Sequence, residues 1–138
     1  IGLKQLLLLP PVGISIETEN GEKHFYEKVF LTAIMNHKYE GGGFRFCPEA
    51  DSNDGFLDVI IVEGMCRPTL IFCLFLSIFG KHTGFRGVHL LRCKTVTVRS
   101  SEPLAVHKDG ESAGVCKKFT ASLAKDPVQV ILPGKPVS

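Results

Sequence analysis

The segment from Tyr39 to Val62 constrains the fold of this chain more than any other. Three consecutive glycines follow its first two residues, an acidic turn ending in Asp54-Gly55 comes next, and an almost wholly apolar run closes it. Glycine and Asp-Gly pairs mark turns, and a short apolar run between turn residues is typical of a buried strand. The segment therefore predicts sharp bends and strands, the elements of a β fold.

The rest of the chain repeats this alternation of strands and turns. Apolar and polar residues alternate over 14–18, as in a half-buried strand, and Asn20-Gly21 predicts a hairpin with a type I′ turn. Apolar runs over 29–35 and 57–62 predict strands that are buried on both faces. Toward the C-terminus, shorter strands are predicted over 88–92, 95–99, 104–107, 119–123 and 128–132.

One segment predicts a helix. Residues 69–79 are almost wholly apolar, Pro68 stands where a helix can begin, and Gly80 stands where it can end. Such a helix must be covered by protein or face lipid, so packing on the sheet, lining of an acyl-chain pocket and docking on a membrane are all open. We expect a mainly β chain: a two-layer antiparallel β-sandwich with one short apolar helix.

Composition bounds the function without specifying it. The 138 residues amount to one domain, 1–138, and the net charge of +2 with no basic arm argues against a nucleic-acid partner. The five cysteines form no Cys-x-x-Cys pair, which predicts free, mostly buried thiols in a reducing, cytoplasmic setting. Because the chain begins at Ile1, not at Met, we expect a fragment that starts in mid-fold.

Signals for some other chemistries are incomplete. Gly80-Lys81-His82 resembles the end of a phosphate-binding P-loop, but Phe75 stands in place of its first glycine and His82 in place of Ser or Thr. The five histidines lack the spacing of metal ligands. They are interpreted as surface residues or as hydrogen-bonded polar residues.

Three segments are candidates for a site. Gly41-Gly42-Gly43 marks either a β-bulge or a place where a ligand or another domain comes close. Residues 51–56 form either a plain turn or a turn whose Asp54 carboxylate and carbonyls hold Mg²⁺ or Ca²⁺. The triplet 109–111 is either a hairpin turn or a pair of carboxylates facing a cleft, able to accept a proton or bind the Mg²⁺ of a nucleotide.

Several short motifs, none of them specific by itself, together resemble a known family because of their order and spacing. Asn36 and Tyr39 with the glycine run, Pro48-x-Ala50, the Asp54-Gly55-x-Leu57-Asp58-Val59 turn and strand, Gly80-Lys81-His82 after an apolar helix, and Asp109-Gly110-Glu111 follow one another at familiar intervals. In this order they resemble the second domain of the diacylglycerol kinase family, which includes sphingosine and ceramide kinases. The likeness runs from about residue 13 to residue 133.

The resemblance implies a β-sandwich that packs on an α/β nucleotide-binding domain, with catalysis between the two. It implies transfer of the γ-phosphoryl of ATP to a lipid hydroxyl, with Glu111 as the best candidate for the catalytic carboxylate and Asp109 as the next. By the same match Glu111 also contacts the Mg²⁺-nucleotide. A structural Mg²⁺ is expected on the Asp54 side chain and the carbonyls of Asp51 and Phe56, and the glycine run is the candidate substrate contact.

One part of the family pattern is missing. The phosphate-binding Gly-Gly-Asp-Gly loop belongs to the first domain, and no such sequence occurs here. Since phosphoryl transfer depends on positioning and charge stabilisation of the γ-phosphate, we expect the fragment alone to be inactive. The expected partners are a lipid substrate, the missing nucleotide-binding domain and a transient membrane surface, and a homodimer stays open. A non-catalytic lipid-binding or interaction domain is the alternative.

Overall fold

In a computed structural model of the chain, the residues described are 7–39, 43–108 and 111–124. The strands are β1 Val12–Thr18, β2 Lys23–Met35, β3 Leu57–Glu63, β4 Val88–Cys93, β5 Thr95–Lys108 and β6 Glu111–Ser122, and one helix, α1, spans Arg67–Ser77. The strands pair antiparallel in the order β4-β3-β2-β1-β5-β6. The mainly β, antiparallel prediction is confirmed. The strand predicted over 128–132 lies outside the described residues.

The connection from β4 to β5 shows that the sheet cannot be flat. In a flat sheet, four strand spacings, about 19 Å, would separate these two strands. A single residue, Lys94, joins Cys93 to Thr95, and such a link reaches only about 7 Å. The sheet therefore curls until its β4 edge meets the start of β5.

The long strand β2 belongs to both resulting layers. Its first half pairs with β1 and its second half with β3, and the register shifts between Val29 and Leu31, where the two halves meet. Irregular pairing of this kind bends a strand and increases its twist. One layer is thus β3, β4 and the end of β2, and the other is β1, β5, β6 and the start of β2. The two predicted layers are halves of one continuous sheet.

The Glu19 carboxylate stabilises the place where the β4 edge of the sheet meets the start of β5. Glu19, in the turn between β1 and β2, accepts hydrogen bonds from the backbone N–H of Lys94 at 3.0 Å and of Thr95 at 3.2 Å. These bonds, that of Lys94 above all, lower the pKa of the Glu19 carboxyl. The Lys94 ammonium in turn lies 5.6 Å from the ring centre of Phe56. The start of β5, the turn after β1 and the end of the Asp54 turn therefore meet at one point.

Two apolar clusters fill the molecule. The cluster between the layers takes residues from all six strands, with these side chains buried: Ile14, Ile16, Val29, Val59, Ile61, Cys93, Val96 and Val98. The second cluster lies between β3 and α1 and contains Met35, Phe46, Cys47, Ala50, Ile60, Val62, Leu70 and Leu74. Alternate residues of β3 enter the two clusters, which confirms that this strand is buried on both faces. All five cysteines are free, and three are buried.

The helix α1 ends at the glycine that the sequence indicates. Pro68 lies in its first turn, where a missing N–H costs nothing. At its end, the Lys81 N–H donates to the Leu76 carbonyl at 3.0 Å and the Gly80 N–H to the Ser77 carbonyl at 3.2 Å. With Gly80 at φ +68, this is the Schellman motif, which satisfies the last free carbonyls of a helix. The observed helix begins two residues before the predicted one.

Two local predictions are wrong. The hairpin after β1 is present, but its turn is not type I′. The Gly21 N–H donates to the Thr18 carbonyl, and Gly21 itself has φ +80. The loop therefore has three residues, whereas a type I′ turn has two. The strands predicted over 95–99 and 104–107 are one strand, β5. Pro103 has no N–H to donate to a neighbouring strand, and it lies in the segment between Arg99 and Leu104 where the register with β6 shifts. Regular pairing resumes after it, at Leu104.

Candidate functional site

The acidic turn before β3 is shaped by its own side chains. The Asp51 carboxylate accepts the Asn53 N–H at 2.9 Å, and Asp54 Oδ1 accepts the Phe56 N–H at 2.9 Å. Gly55 has φ +75, in the left-handed region that favours glycine. Bonds from an aspartate to the backbone two residues on are a common device for closing turns. The three residues predicted to hold a metal therefore lie together, in a turn of fixed shape.

Arg92 on β4 lies beside this turn and pairs with two carboxylates, those of Asp54 and Asp58. Its Nη2 lies 3.2 Å from Asp54 Oδ2, and its Nε donates to Asp58 Oδ1 at 3.2 Å. The same Nη2 donates to the Glu49 carbonyl at 3.3 Å. Asp58 and Arg92 are direct cross-strand partners of β3 and β4, so the strand register creates the contact. The Asp58 carboxylate, followed by Asp54, raises the pKa of Arg92.

With Arg92 in place, the turn fits a metal ion poorly. Both oxygens of Asp54 already have partners, and a Mg²⁺ ion needs six oxygen ligands in near-octahedral geometry. Asp58 Oδ2 is buried without a hydrogen-bond partner in the described part of the chain, but it is a single oxygen. Within those residues no group of three or more His, Cys, Asp or Glu side chains could hold a metal. The cation expected at Asp51, Asp54 and Phe56 stays a prediction.

The glycine run is described only at its last residue. Gly41 and Gly42 lie outside the described residues, whereas Gly43 is exposed at φ +85, and a Cβ added there would meet nothing within 4 Å. Gly43 therefore serves a turn, and no described backbone packs against it. A shallow groove of about 490 Å³ lies close by, between Tyr39 with its two preceding residues and the segment 49–52.

His82 is the residue whose role the sequence did not reveal. It is 1% exposed, and its Nε2–H donates to the Phe46 carbonyl at 3.0 Å, while the Phe46 ring packs edge-on against the imidazole at 6.3 Å. Burial lowers the pKa of His82, and its Nδ1 is buried with no described partner, so a second proton would be unsatisfied. The Gly-Lys-His sequence after an apolar helix was the available signal. His82 ties the segment after the glycine run to the end of α1.

Glu111 lies at the far end of a projecting hairpin. It begins β6 opposite Lys108, the last residue of β5, while Asp109 and Gly110 between them lie outside the described residues. We call residues 102–108 and 111–118 the hairpin arm. In the arm, partial burial is confined to three of the described residues, Leu104, Val106 and Cys116. The Glu111 side chain is exposed and has no ion-pair partner within the described ranges.

The two acidic turns are not brought together. The Asp54 turn meets the start of β5 through the contact of Phe56 with Lys94, whereas Glu111 follows the end of that strand. A straight strand of the length of β5 would span about 45 Å. The irregular register in the middle of β5 shortens this span, but the strand still separates the Asp54 turn from Glu111 along its length.

One known protein family matches most of this chain. The family described as the YegS C-terminal NAD kinase beta sandwich-like domain matches residues 1–131. The chain belongs to this family. The match confirms the resemblance that the ordered motifs indicated, and it agrees with the folded antiparallel sheet.

Two curated relatives of this YegS-type domain are named diacylglycerol kinase. One, from Mycobacterium tuberculosis, is 32% identical over 112 residues, which are 80% of this chain and 35% of the relative. The other, from Bacillus subtilis, is 24% identical over 132 residues, 96% of this chain and 43% of the relative. The chain thus spans less than half of the length of these relatives.

A solved structure confirms the fold. The crystal structure of a diacylglycerol kinase from Bacillus anthracis superposes with a TM-score of 0.62 at 20% identity, over 85% of this chain and 41% of that chain. At that identity the likeness concerns the fold alone, and the site depends on the residues described above.

Proposed function

We propose that the chain is the C-terminal domain of an ATP-dependent lipid kinase, one that transfers the γ-phosphoryl of ATP to the hydroxyl of diacylglycerol or a related lipid. Glu111, exposed at the tip of the hairpin arm, is the observation that carries the proposal. A carboxylate that activates a hydroxyl must reach the substrate with its oxygens unpaired. Glu111 meets that requirement, whereas Asp54, paired with Arg92, does not.

In this proposal the arm carries Glu111 to a cleft shared with a nucleotide-binding domain. Its mostly exposed strands offer two faces on which a neighbouring domain can pack. Glu111 accepts the proton of the lipid hydroxyl or organises the Mg²⁺ of the nucleotide, and Asp109 assists it. ATP is the co-substrate, and the other domain supplies its phosphate-binding loop. The glycine run Gly41-Gly42-Gly43 remains a predicted substrate contact.

Substitution of Glu111 tests this role in the full-length protein that carries the chain. We expect Glu111→Gln to lower kcat for lipid phosphorylation on the order of 10²-fold or more, because the amide cannot accept the proton. Glu102→Gln is the matched control, since Glu102 is an exposed glutamate on the same arm. Thermal unfolding of both variants should match that of the wild type, because both side chains are in water.

Equal activity of the two variants would contradict the catalytic role. A full-length protein that binds lipid but phosphorylates none, with or without Glu111, would favour the alternative of a non-catalytic lipid-binding or interaction domain. The exposed apolar side chains of α1 are the observation behind that alternative. We also expect the isolated chain to phosphorylate no lipid with ATP and Mg²⁺, since half a cleft cannot hold the γ-phosphate.

A further inference from the structure

Arg45 carries a charge that has no partner in the described part of the chain. It stands two residues after Gly43 and is half-buried. Its Nε is buried and has no hydrogen-bond partner among the described residues, where Arg45 also forms no ion pair. A partly buried charge without a partner lowers stability, so we expect a partner of opposite charge beyond those residues.

The guanidinium of Arg45 is held in one place by its neighbours. The Arg45 N–H donates to the carbonyl of Ser77, the last residue of α1, at 2.9 Å. The Arg45 Cζ lies 5.4 Å from the ring centre of Tyr39, in a cation–π contact. A Cβ added to Gly80 would lie 3.7 Å from the same Arg45 carbon. A side chain that is already ordered loses little conformational entropy on binding, which favours a binding role for Arg45.

Two lysines accompany Arg45. Lys38 and Lys81 are each next in sequence to one of the two residues that enclose the Arg45 guanidinium, and both are exposed. Lys81 belongs to a stretch, 64–101, that has no aspartate and no glutamate. Glu49, which is close in sequence, is exposed and forms no ion pair with Arg45. A partner with more than one negative charge fits three cations better than a single carboxylate does.

We propose that Arg45 binds a phosphate group of a substrate or product. A guanidinium is planar, and two of its N–H groups match two oxygens of one phosphate, so that arginine suits this group better than lysine does. ATP carries phosphate groups before the transfer, and the phosphorylated lipid carries one after it. The inference rests on the proposed function for these two sources, whereas the binding itself requires no turnover.

Two structural roles are the alternatives for Arg45. A cation near the C-terminal end of a helix interacts favourably with the helix dipole, and Arg45 is bonded to the last residue of α1. Glu40, which lies outside the described residues, is an acidic residue close in sequence that an ion pair would require. Both roles need only a positive charge, which lysine also supplies, whereas two-point binding of phosphate needs the guanidinium. Substitution by lysine therefore distinguishes phosphate binding from both alternatives.

Equilibrium binding to the full-length protein that carries the chain tests the inference. The probes are ADP with Mg²⁺, soluble dioctanoyl phosphatidic acid, and dioctanoylglycerol, which lacks the phosphate. We expect Arg45→Met to weaken the binding of one of the two phosphate probes about 10- to 100-fold, because hydrogen bonds between charged groups are lost. Arg45→Lys should weaken the same probe about fivefold. Dioctanoylglycerol should bind both variants as it binds the wild type, and the affected probe identifies the source of the phosphate.

Two further variants serve as controls. Arg86→Met removes an exposed arginine beyond the end of the same helix and should bind all three probes normally. Lys81→Met should weaken the affected probe only about two- to threefold, since water and salt screen an exposed ammonium group. The melting temperature without ligand should be the same for Arg45→Lys and the wild type, because the charge beside α1 is kept.

Several results would overturn the inference. One is a wild type that binds neither phosphate probe, and another is normal binding of both probes by Arg45→Lys and Arg45→Met. A lower melting temperature of Arg45→Met that Arg45→Lys restores, with unchanged binding, would assign Arg45 to the helix end, and the same loss in Glu40→Gln would assign it to an ion pair. If Arg45→Met fails to fold, Arg45→Lys decides the outcome. A wild type that binds a phosphate probe through Arg45 but phosphorylates no lipid would contradict the proposed function and support the inference.

Discussion

The region around α1 and the hairpin arm differ in how far their side chains are buried and paired. Around α1, in a region we call the helix block (α1 with residues 44–58, His82 and Arg92), several polar groups are paired: His82 donates to the Phe46 carbonyl, and Arg92 pairs with Asp54. In the arm, most described residues are exposed, and Glu111 ends the hairpin without an ion-pair partner in the described ranges. A paired and buried group contributes to stability, whereas an unpaired exposed carboxylate contributes little to folding and is free to react.

The two regions meet two different requirements of such a domain. The helix block contributes one of the two buried apolar clusters, and the arm carries the candidate chemistry beyond the core. Substitutions in the block should therefore change the free energy of unfolding, and matched substitutions in the arm should not. Matched pairs of substitutions, one in each region, therefore test this division.

Leu74 and Val115 form the first pair. Leu74 is 6% exposed between α1 and β3, whereas Val115 in the arm is 68% exposed. Leu74→Ala should lower the free energy of unfolding by about 2–5 kcal/mol, because it leaves a cavity among buried side chains. Val115→Ala should change it by less than about 0.5 kcal/mol. Urea unfolding of both variants measures the difference, and equal effects would mean that α1 is not packed as described.

Much of the packed half could be predicted from the sequence, because its signals are local. Alternation over 14–18, the apolar run that becomes β3, and the Pro68 and Gly80 boundaries of α1 all depend on residues a few positions apart. The curl of the sheet could not be predicted, since it depends on where Lys94 and Glu19 meet in space.

The site was harder to predict for the same reason. The contact of Arg92 with Asp54 and Asp58 exists because β3 and β4 pair in one particular register, which no local pattern specifies. Sequence reasoning therefore left the Asp54 turn open to a metal. His82 was read as a surface or hydrogen-bonded residue, and the second interpretation is correct, but its burial depends on the segment that packs over the end of α1.

His82 and His107 form the second pair, a buried imidazole in the block and an exposed one in the arm. His82→Leu should lower the free energy of unfolding by about 1–3 kcal/mol, because the Phe46 carbonyl loses its donor inside the protein. His82→Gln, which restores a neutral donor, should recover part of the loss. His107→Gln should have no measurable effect.

The lowered pKa of His82 also predicts a dependence on pH. Below the ordinary His pKa of 6.5, the unfolded chain takes up a proton that the folded chain excludes, so stability falls as the pH drops toward the folded pKa. Above 6.5 both states are neutral and this contribution is constant. His82→Gln should flatten that part of the stability curve, whereas His107→Gln should leave it unchanged. An unchanged curve for His82→Gln would contradict the lowered pKa.

Arg92 and Lys117 form the last pair, with the smallest expected effect, because ion pairs with exposed partners contribute little. Arg92→Met leaves the carboxylates of Asp54 and Asp58 without their cation, so the melting temperature should drop slightly at low salt. Added Mg²⁺ should then restore it, since a metal can take the position of the guanidinium. The wild type and Lys117→Met, whose lysine is exposed on the arm, should show no shift with Mg²⁺. A saturable Mg²⁺ shift in the wild type would instead mean that the turn binds a metal beside Arg92, as the family resemblance implies. The pair therefore decides whether the fixed charge at this turn belongs to the protein or to an ion.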